Sequence, residues 1–406
     1  MKRVLQLALG IIAAIGGFVD IGDLVFNAQA GAKFGYAPLW AVPIGVVGII
    51  VLSDMSGRVA AITKKPNFVT VKESYGRRVS LAALVASLIL TLLTLAAELG
   101  GLAFVLNYVF DVSVGFFVLV GVILMLLASW FLSFHMIERL FGYGGLCLLV
   151  FAVAAVQMNP DWGAVAQGFI PSGQGSLLYW YVVVGLMLAA FMPYEIYFYS
   201  SGAIEEDWSA EDLGIERANA TLGFTLGGLL AVAILVAAAQ TLRPAGITPE
   251  SIGDIALVPQ TPFGAWGLAL ALIGIFFAVG GATIDTAFSS AYNLAQYQGW
   301  KWGKKEGMTT ARRWSAALLG AFGIGFAIAS TGVDPVRLTE YAVILSAAVM
   351  PLTFYPIVRL AGDRSVMGDH ASGPFARTVG WLYFSLICVL SVVAPVLLIL
   401  TNGGGG

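Results

Sequence analysis

The sequence predicts an all-α integral membrane protein of eleven transmembrane helices, arranged as a five-plus-five inverted repeat with one extra helix. Three observations predict it. Hydrophobic residues fill 59% of the 406 positions and charged residues only 11%, whereas a soluble domain is about half apolar and about a quarter charged. The chain divides into eleven predominantly apolar stretches, each near the roughly 20 residues a helix needs to cross hydrocarbon. Two of those stretches, five spans apart, are interrupted near their centres.

The first span, about 4–32, follows Met1-Lys2-Arg3. That opening has the form of a secretion signal, but the run holds Asp20 and Asp23 and leads straight into a second apolar segment. It therefore reads as a retained helix. Spans at about 38–62, 80–108, 113–134 and 139–157 complete a first repeat over about 4–157. A second repeat, about 178–360, holds spans at 178–203, 217–241, 263–296, 312–331 and 338–360, and the eleventh helix lies at about 376–400. The polar stretches Ile62–Val79, Ile204–Glu216 and Gln298–Arg313 are short enough for simple connectors, so 1–402 reads as one transmembrane domain. The glycine tail, 403–406, reads as a cloning remnant with no packing role.

Lysine and arginine placement orients these spans. With the N-terminus inside, 18 of the 21 basic residues fall on the cytoplasmic side, and only Lys33, Arg243 and Arg337 fall outside. The expectation is a multi-pass protein of a plasma or bacterial inner membrane, with a cytoplasmic N-terminus and an external C-terminus. No basic cluster or aromatic RNA-type motif points to nucleic acid, and no obligate protein partner is indicated. Cys147 and Cys388 lie in separate apolar runs, which gives neither a disulfide framework nor a thiolate metal site. His135 and His370, the two histidines, sit near helix ends and lend little support to histidine-based metal chemistry.

The two interrupted spans carry the chemistry. In the first, "GFVDIGDLVF" places Asp20 and Asp23 around Gly22. On a continuous helix these carboxylates would lie about 5–6 Å apart on one face. At an effective dielectric of 20, two negative charges about 5 Å apart repel by roughly 3 kcal/mol. Such a pair shares a proton, holds a cation, or caps the outer half-helix. Gly22 would allow the backbone to unwind so that carboxylates and carbonyls converge; Gly17 is a secondary carbonyl candidate. In the sixth span, Pro193 removes a backbone donor and frees carbonyls near Ala189 and Ala190. Met192, core filler in an ordinary apolar helix, becomes a soft ligand opposite two aspartates, and a soft ligand favours transition metals over Ca²⁺ and Mg²⁺.

Further acids and polar groups accompany that pair. Glu98 is a lone mid-helix carboxylate and so a functional candidate. Glu195 either shares a helix face with Met192 or pairs with a cytoplasmic arginine. Asp285 lines an inner vestibule or packs among the small residues of the eighth span. Asn27 and Gln29 are expected to bond backbone freed at the break. Glu205-Glu206-Asp207 reads as a solvated turn.

These residues stand in recognisable surroundings. "DIGDLVFNAQAGAKFGY" (Asp20–Tyr36) resembles the first-helix signature of the NRAMP family of divalent-metal transporters, and "AAFMPYEIYFYSS" (Ala189–Ser201) resembles its sixth-helix signature. "NPDWGAVAQGFIP", "AVGGATIDTAFSSAYNLAQYQGW" and "MPLTFYPIVRLAGDRSVMG" are similar to further family segments, in order along nearly the whole chain. The resemblance implies the LeuT-type fold and import of a Mn/Fe-type divalent metal toward the cytoplasm, commonly proton-coupled. It implies no enzyme activity and no cofactor, the metal being substrate. By position, Asp20, Met192 and the Ala189 carbonyl match the family's metal ligands.

The departures are specific. Asp23 stands where the family has asparagine, Tyr194 where it has histidine, and Leu95 where many members have aspartate, while Glu98 keeps the family's glutamate. Val343 to Val349 is apolar where relatives often carry glutamine. A second carboxylate brings a bound divalent ion to charge neutrality. The loss of one histidine and one aspartate leaves Asp23 and Glu98 as the proton-relay candidates. Two rivals follow: uncoupled Mg²⁺ transport within the family, or a LeuT-type carrier of an organic cation or amino acid. A transport-dead metal sensor is a third.

Overall fold

The computed structural model describes residues 19–190 and 192–404. Among these residues every regular element is a helix. The eleven principal helices are α1 (Ile21–Phe34), α2 (Ala41–Thr63), α3 (Asn67–Phe110), α4 (Val114–Phe131), α5 (Phe134–Gln157), α6a (Leu177–Ala189) with α6b (Pro193–Glu205), α7 (Leu213–Thr241), α8 (Gln260–Gln298), α9 (Arg312–Ala329), α10 (Pro335–Ala361) and α11 (Pro374–Leu400). Among the described residues nine spans are long and apolar enough to cross a membrane. α1, described from Ile21 onward, and α9, which opens on Arg312-Arg313, complete the eleven. The N-terminal half of the expected first span, with Gly17, lies outside the described residues.

Three expected boundaries need correction. The stretch 62–79 is not a plain connector: Asn67 to Tyr75 is helical and joins the rest of α3 through Gly76, whose φ of 79° breaks the helix. Pro66 stands at the N-cap of this helix. α8 bends in the same way at Gly264, with φ of 59°. α5 begins at Phe134 and tightens into a 3₁₀ turn at Leu146–Leu148.

Helix packing follows small residues. A Cβ on Gly185 of α6a would come 1.9 Å from the Phe26 ring of α1, and one on Gly31 would come 2.2 Å from the Leu235 carbonyl of α7. These contacts bring backbones together as small-residue stripes do in membrane bundles. α3 packs chiefly on α8 and α10, α1 on α7 and α6a, and α10 on α11.

The ends of the helices are tied by charge. Asp54 of α2 accepts from Arg58 and, across the bundle, from Arg217 of α7, at 3.1 and 2.9 Å. The acidic turn is not simply solvated: Glu205 accepts from the Tyr292 hydroxyl at 3.0 Å and from the backbone of Lys304 and Lys305, while Asp207 pairs with Lys305. The glycine tail also departs from expectation. The Gly404 carbonyl accepts from Lys33 Nζ at 3.1 Å, and Gly403 and Gly404 abut Tyr341 and Tyr181.

Candidate metal site at the helix breaks

Among the described residues α1 starts at Ile21, one residue before Gly22. Asp20 has extended backbone (φ −86°, ψ −173°) and acts as N-cap of α1, its Oδ1 accepting from the Asp23 amide at 3.0 Å. Serving as a cap is what short polar side chains do at a helix start. Gly22 is regularly helical, so its role is close approach rather than unwinding. A Cβ there would lie 3.0 Å from Asp20 Oδ1, 3.1 Å from a Val343 methyl of α10 and 3.6 Å from Ala189 Cβ. One glycine thus lets α1, α6a and α10 meet at the Asp20 carboxylate.

The second break supplies the opposing wall. Ala189 ends α6a, and the residue four positions on is Pro193, the first residue of α6b. Proline has no N–H, so the Ala189 carbonyl lacks its helical donor. Met192 is the N-cap of α6b and is buried at 1% exposure; its amide donates to Glu195 Oε2 at 3.0 Å. Glu195 therefore serves the head of α6b and, among the described residues, pairs with no arginine. Tyr194, two residues beyond Met192, donates its hydroxyl to Asp20 Oδ2 at 3.1 Å, and its own carbonyl accepts from Ser289 of α8 at 3.0 Å.

Asp20, Asp23, Ala189, Met192 and Tyr194 are all buried. Asp20 has a partner on each oxygen, whereas Asp23 Oδ2 is buried without a hydrogen-bond partner among the described residues. Asn27 bonds the Asp23 carbonyl at 2.8 Å inside the regular turn of α1 rather than at freed backbone, and Gln29 reaches away to the Pro249 carbonyl. On α3, Glu98 is fully buried; its Oε1 accepts from Thr286 of α8 at 3.1 Å and Oε2 has no partner among the described residues. Its charge interacts with those of Asp20 and Asp285. The sequence reading missed Thr286 as the partner of Glu98; its only sign was a place beside Asp285 in a Gly/Ser/Thr-rich stretch.

The head of α1 with its two carboxylates thus meets the α6a–α6b break inside an eleven-helix bundle. Residues 10–397 match the family model for Nramp, the natural resistance-associated macrophage protein-like proteins. The chain belongs to the Nramp family. Its relatives include the divalent metal cation transporter MntH of Mycobacterium tuberculosis H37Rv, 26% identical over 403 residues, covering 94% of this chain and 89% of that protein. MntH of Ralstonia nicotianae is 26% identical over 422 residues, covering 96% and 90%. The Eremococcus coleocola manganese transporter superposes with a TM-score of 0.79 at 16% identity, over 96% of this chain and 85% of that one. A nucleobase-cation-symport-1 family transporter in a closed conformation follows at 0.63 and 14% identity, over 98% and 91%. These likenesses establish the LeuT-type fold.

Within this Nramp fold the departures acquire positions. Val343 puts a methyl group against Gly22 and Asp20. Leu95, one turn before Glu98, is buried against Gly325 of α9. Tyr194 is bonded directly to Asp20.

Proposed function

We propose that this Nramp protein is a secondary-active transporter that carries a divalent metal ion across a plasma or bacterial inner membrane, toward the cytoplasm. The observation that carries the reading is the Asp20 carboxylate held at the α1 head, beside the α6a–α6b break, with Asp23 Oδ2 buried and unpartnered one turn away. Asp20, Asp23, the Ala189 carbonyl and Met192 supply the ligands. Two carboxylates neutralise a divalent cation and offer hard oxygen donors, while the thioether of Met192 tilts the set toward Mn²⁺ or Fe²⁺. The names of the MntH relatives agree with this substrate class. Rocking of the bundle that holds α1 and α6 against the remaining helices would alternate access to the site.

Proton coupling belongs to the same reading. Asp23 and Glu98 carry the proton, each having one buried carboxylate oxygen without a partner. A second reading, uncoupled Mg²⁺ transport, has its own observation: a tyrosine occupies the histidine position and spends its hydroxyl on Asp20.

The test is uptake into proteoliposomes with Mn²⁺ or Mg²⁺ outside and a pH dye inside. Mn²⁺ flux with lumen acidification is expected. Mg²⁺ flux without acidification selects the second reading, and flux of neither ion leaves the organic-substrate and sensor alternatives.

A further inference from the structure

Glu98 is fully buried, so a proton that reaches it needs a way to water. One turn earlier on α3, Leu95 sets its Cγ 3.0 Å from where a Cβ on Gly325 would lie, and Leu99 adds a methyl at 3.1 Å. The α3–α9 contact beside Glu98 is therefore hydrocarbon.

The α8 side differs. Glu98 is bonded to Thr286, and the neighbouring residue is Asp285. From Ala278 to Asn293 every residue of α8 is buried except Asp285. It faces a crevice in an otherwise closed helix.

Steric register shows what lies across that crevice. A Cβ on Gly274 would strike the Leu148 amide, one on Gly144 the Phe277 ring, and one on Gly281 would lie 3.1 Å from Phe141 Cβ. α8 and α5 thus run antiparallel, with residue numbers summing to nearly the same value at each contact. One turn on from Gly281 and Phe141, the register sets Asp285 against Ile137 and Glu138. Electrostatic interaction between Asp285 and Glu138 agrees. Glu138, His135 and Glu206 then bring their ligating atoms within 4.8 Å of one another, with His135 and Glu206 exposed.

We propose that Asp285 and Glu138 form a proton route from Glu98 to the inner face, ending at His135 and Glu206. The proposal rests on the coupled-transport reading above. Each hop between carboxyls breaks one O–H bond and forms another, so the donor becomes a carboxylate and the acceptor an acid. A hop to His135 forms an N–H bond and an imidazolium, which then gives the proton to water. The Thr286 hydroxyl and water in the crevice bridge the first step. The titratable groups facing Asp285 are Glu98 from α3, Glu138 from α5, Tyr194 from α6b and Tyr292 from its own helix. No basic side chain is among them. Further along the row Arg139 acts on Glu138, and Lys304 and Lys305 line the pocket that holds His135 and Glu206, which favours release of the proton at that end.

The experiment compares the full chain with Asp285→Asn, Asp285→Glu and Glu138→Gln in proteoliposomes, recording Mn²⁺ entry and lumen acidification together. In Asp285→Asn the protons entering per Mn²⁺ should fall about tenfold or more, the scale of losing a positioned acid–base group. Dependence of uptake on lumen pH should flatten with it, and Asp285→Glu should restore both. Glu138→Gln, at a half-exposed edge, repeats the test where the bundle interior is untouched. An unchanged proton-to-metal ratio in Asp285→Asn and Glu138→Gln overturns the route. Parent protein that moves Mn²⁺ without acidification also overturns it, while leaving metal transport standing. Parent protein that moves no Mn²⁺ sinks the transport reading and the route with it.

Discussion

Asp20 does two things at once. It satisfies an orphan donor at the start of α1, and it presents its second oxygen to Tyr194. A hydrogen bond to a charged group contributes about 1.5–3 kcal/mol, so the tyrosine competes with a cation for that oxygen. Tyr194→Phe should therefore tighten Mn²⁺ binding, measured by isothermal titration on purified protein; weaker binding would show that the hydroxyl is itself a ligand. Asp23 is the opposite case, with a buried oxygen that no protein donor claims. Asp23→Asn keeps the shape and removes the charge, and should weaken Mn²⁺ binding by at least about tenfold. Undiminished affinity in that variant would reassign Asp23 to a structural role.

Glycines set helix spacing at the scale of elements. Gly185 is overlaid by the Phe26 ring so closely that any side chain forces α1 and α6a apart. Gly185→Ala should destabilise the protein by about 1–3 kcal/mol, the usual penalty of overpacking, read as a lowered unfolding temperature in detergent. Gly76 works through its backbone: its φ of 79° lies where L-residues are strained, with nothing within 4 Å of an added Cβ. Gly76→Ala should cost roughly 1–2 kcal/mol through strain alone. The segment it hinges is held by the Asn67 amide, which donates to Ser200 at 2.8 Å, and by Phe68 against Tyr197. Strain at Gly76 is thus expected to raise proteolytic cleavage between 67 and 76; an unchanged cleavage rate counts against the hinge.

The whole molecule is built so that long-range pairs meet at its centre. Asp20 and Tyr194 are 174 residues apart, and Glu98 and Thr286 are 188 apart. The first pair ties α1 to α6b within the moving bundle and the second ties α3 to α8 within the remaining helices. Val343 of α10, with a methyl 3.1 Å from where a Cβ on Gly22 would lie, touches α1 across the boundary between them. Cross-linking across that boundary, through cysteine variants of Gly22 and Val343, should arrest Mn²⁺ uptake and release it again on reduction. Uptake that continues through the cross-link would place the moving boundary elsewhere.

Apolar length and basic flanks were enough to place eleven spans, because each helix must satisfy its own backbone in hydrocarbon and so carries its signal locally. Pro193 and the Asp20–Asp23 pair marked the breaks for the same reason: a missing donor and a clustered charge are local facts. The motif order along the chain placed it in its family. What tertiary structure decided was how the broken ends are used. Asp20 became a cap, Gly22 a contact surface and Glu195 a partner for Met192, while Val343 closed one side of the site. Asp285 acquired Glu138 as a neighbour only through the register of α8 on α5. These roles depend on which residue of a distant helix arrives at each position. Interhelical register is set by packing across the bundle, which no local stretch of sequence encodes.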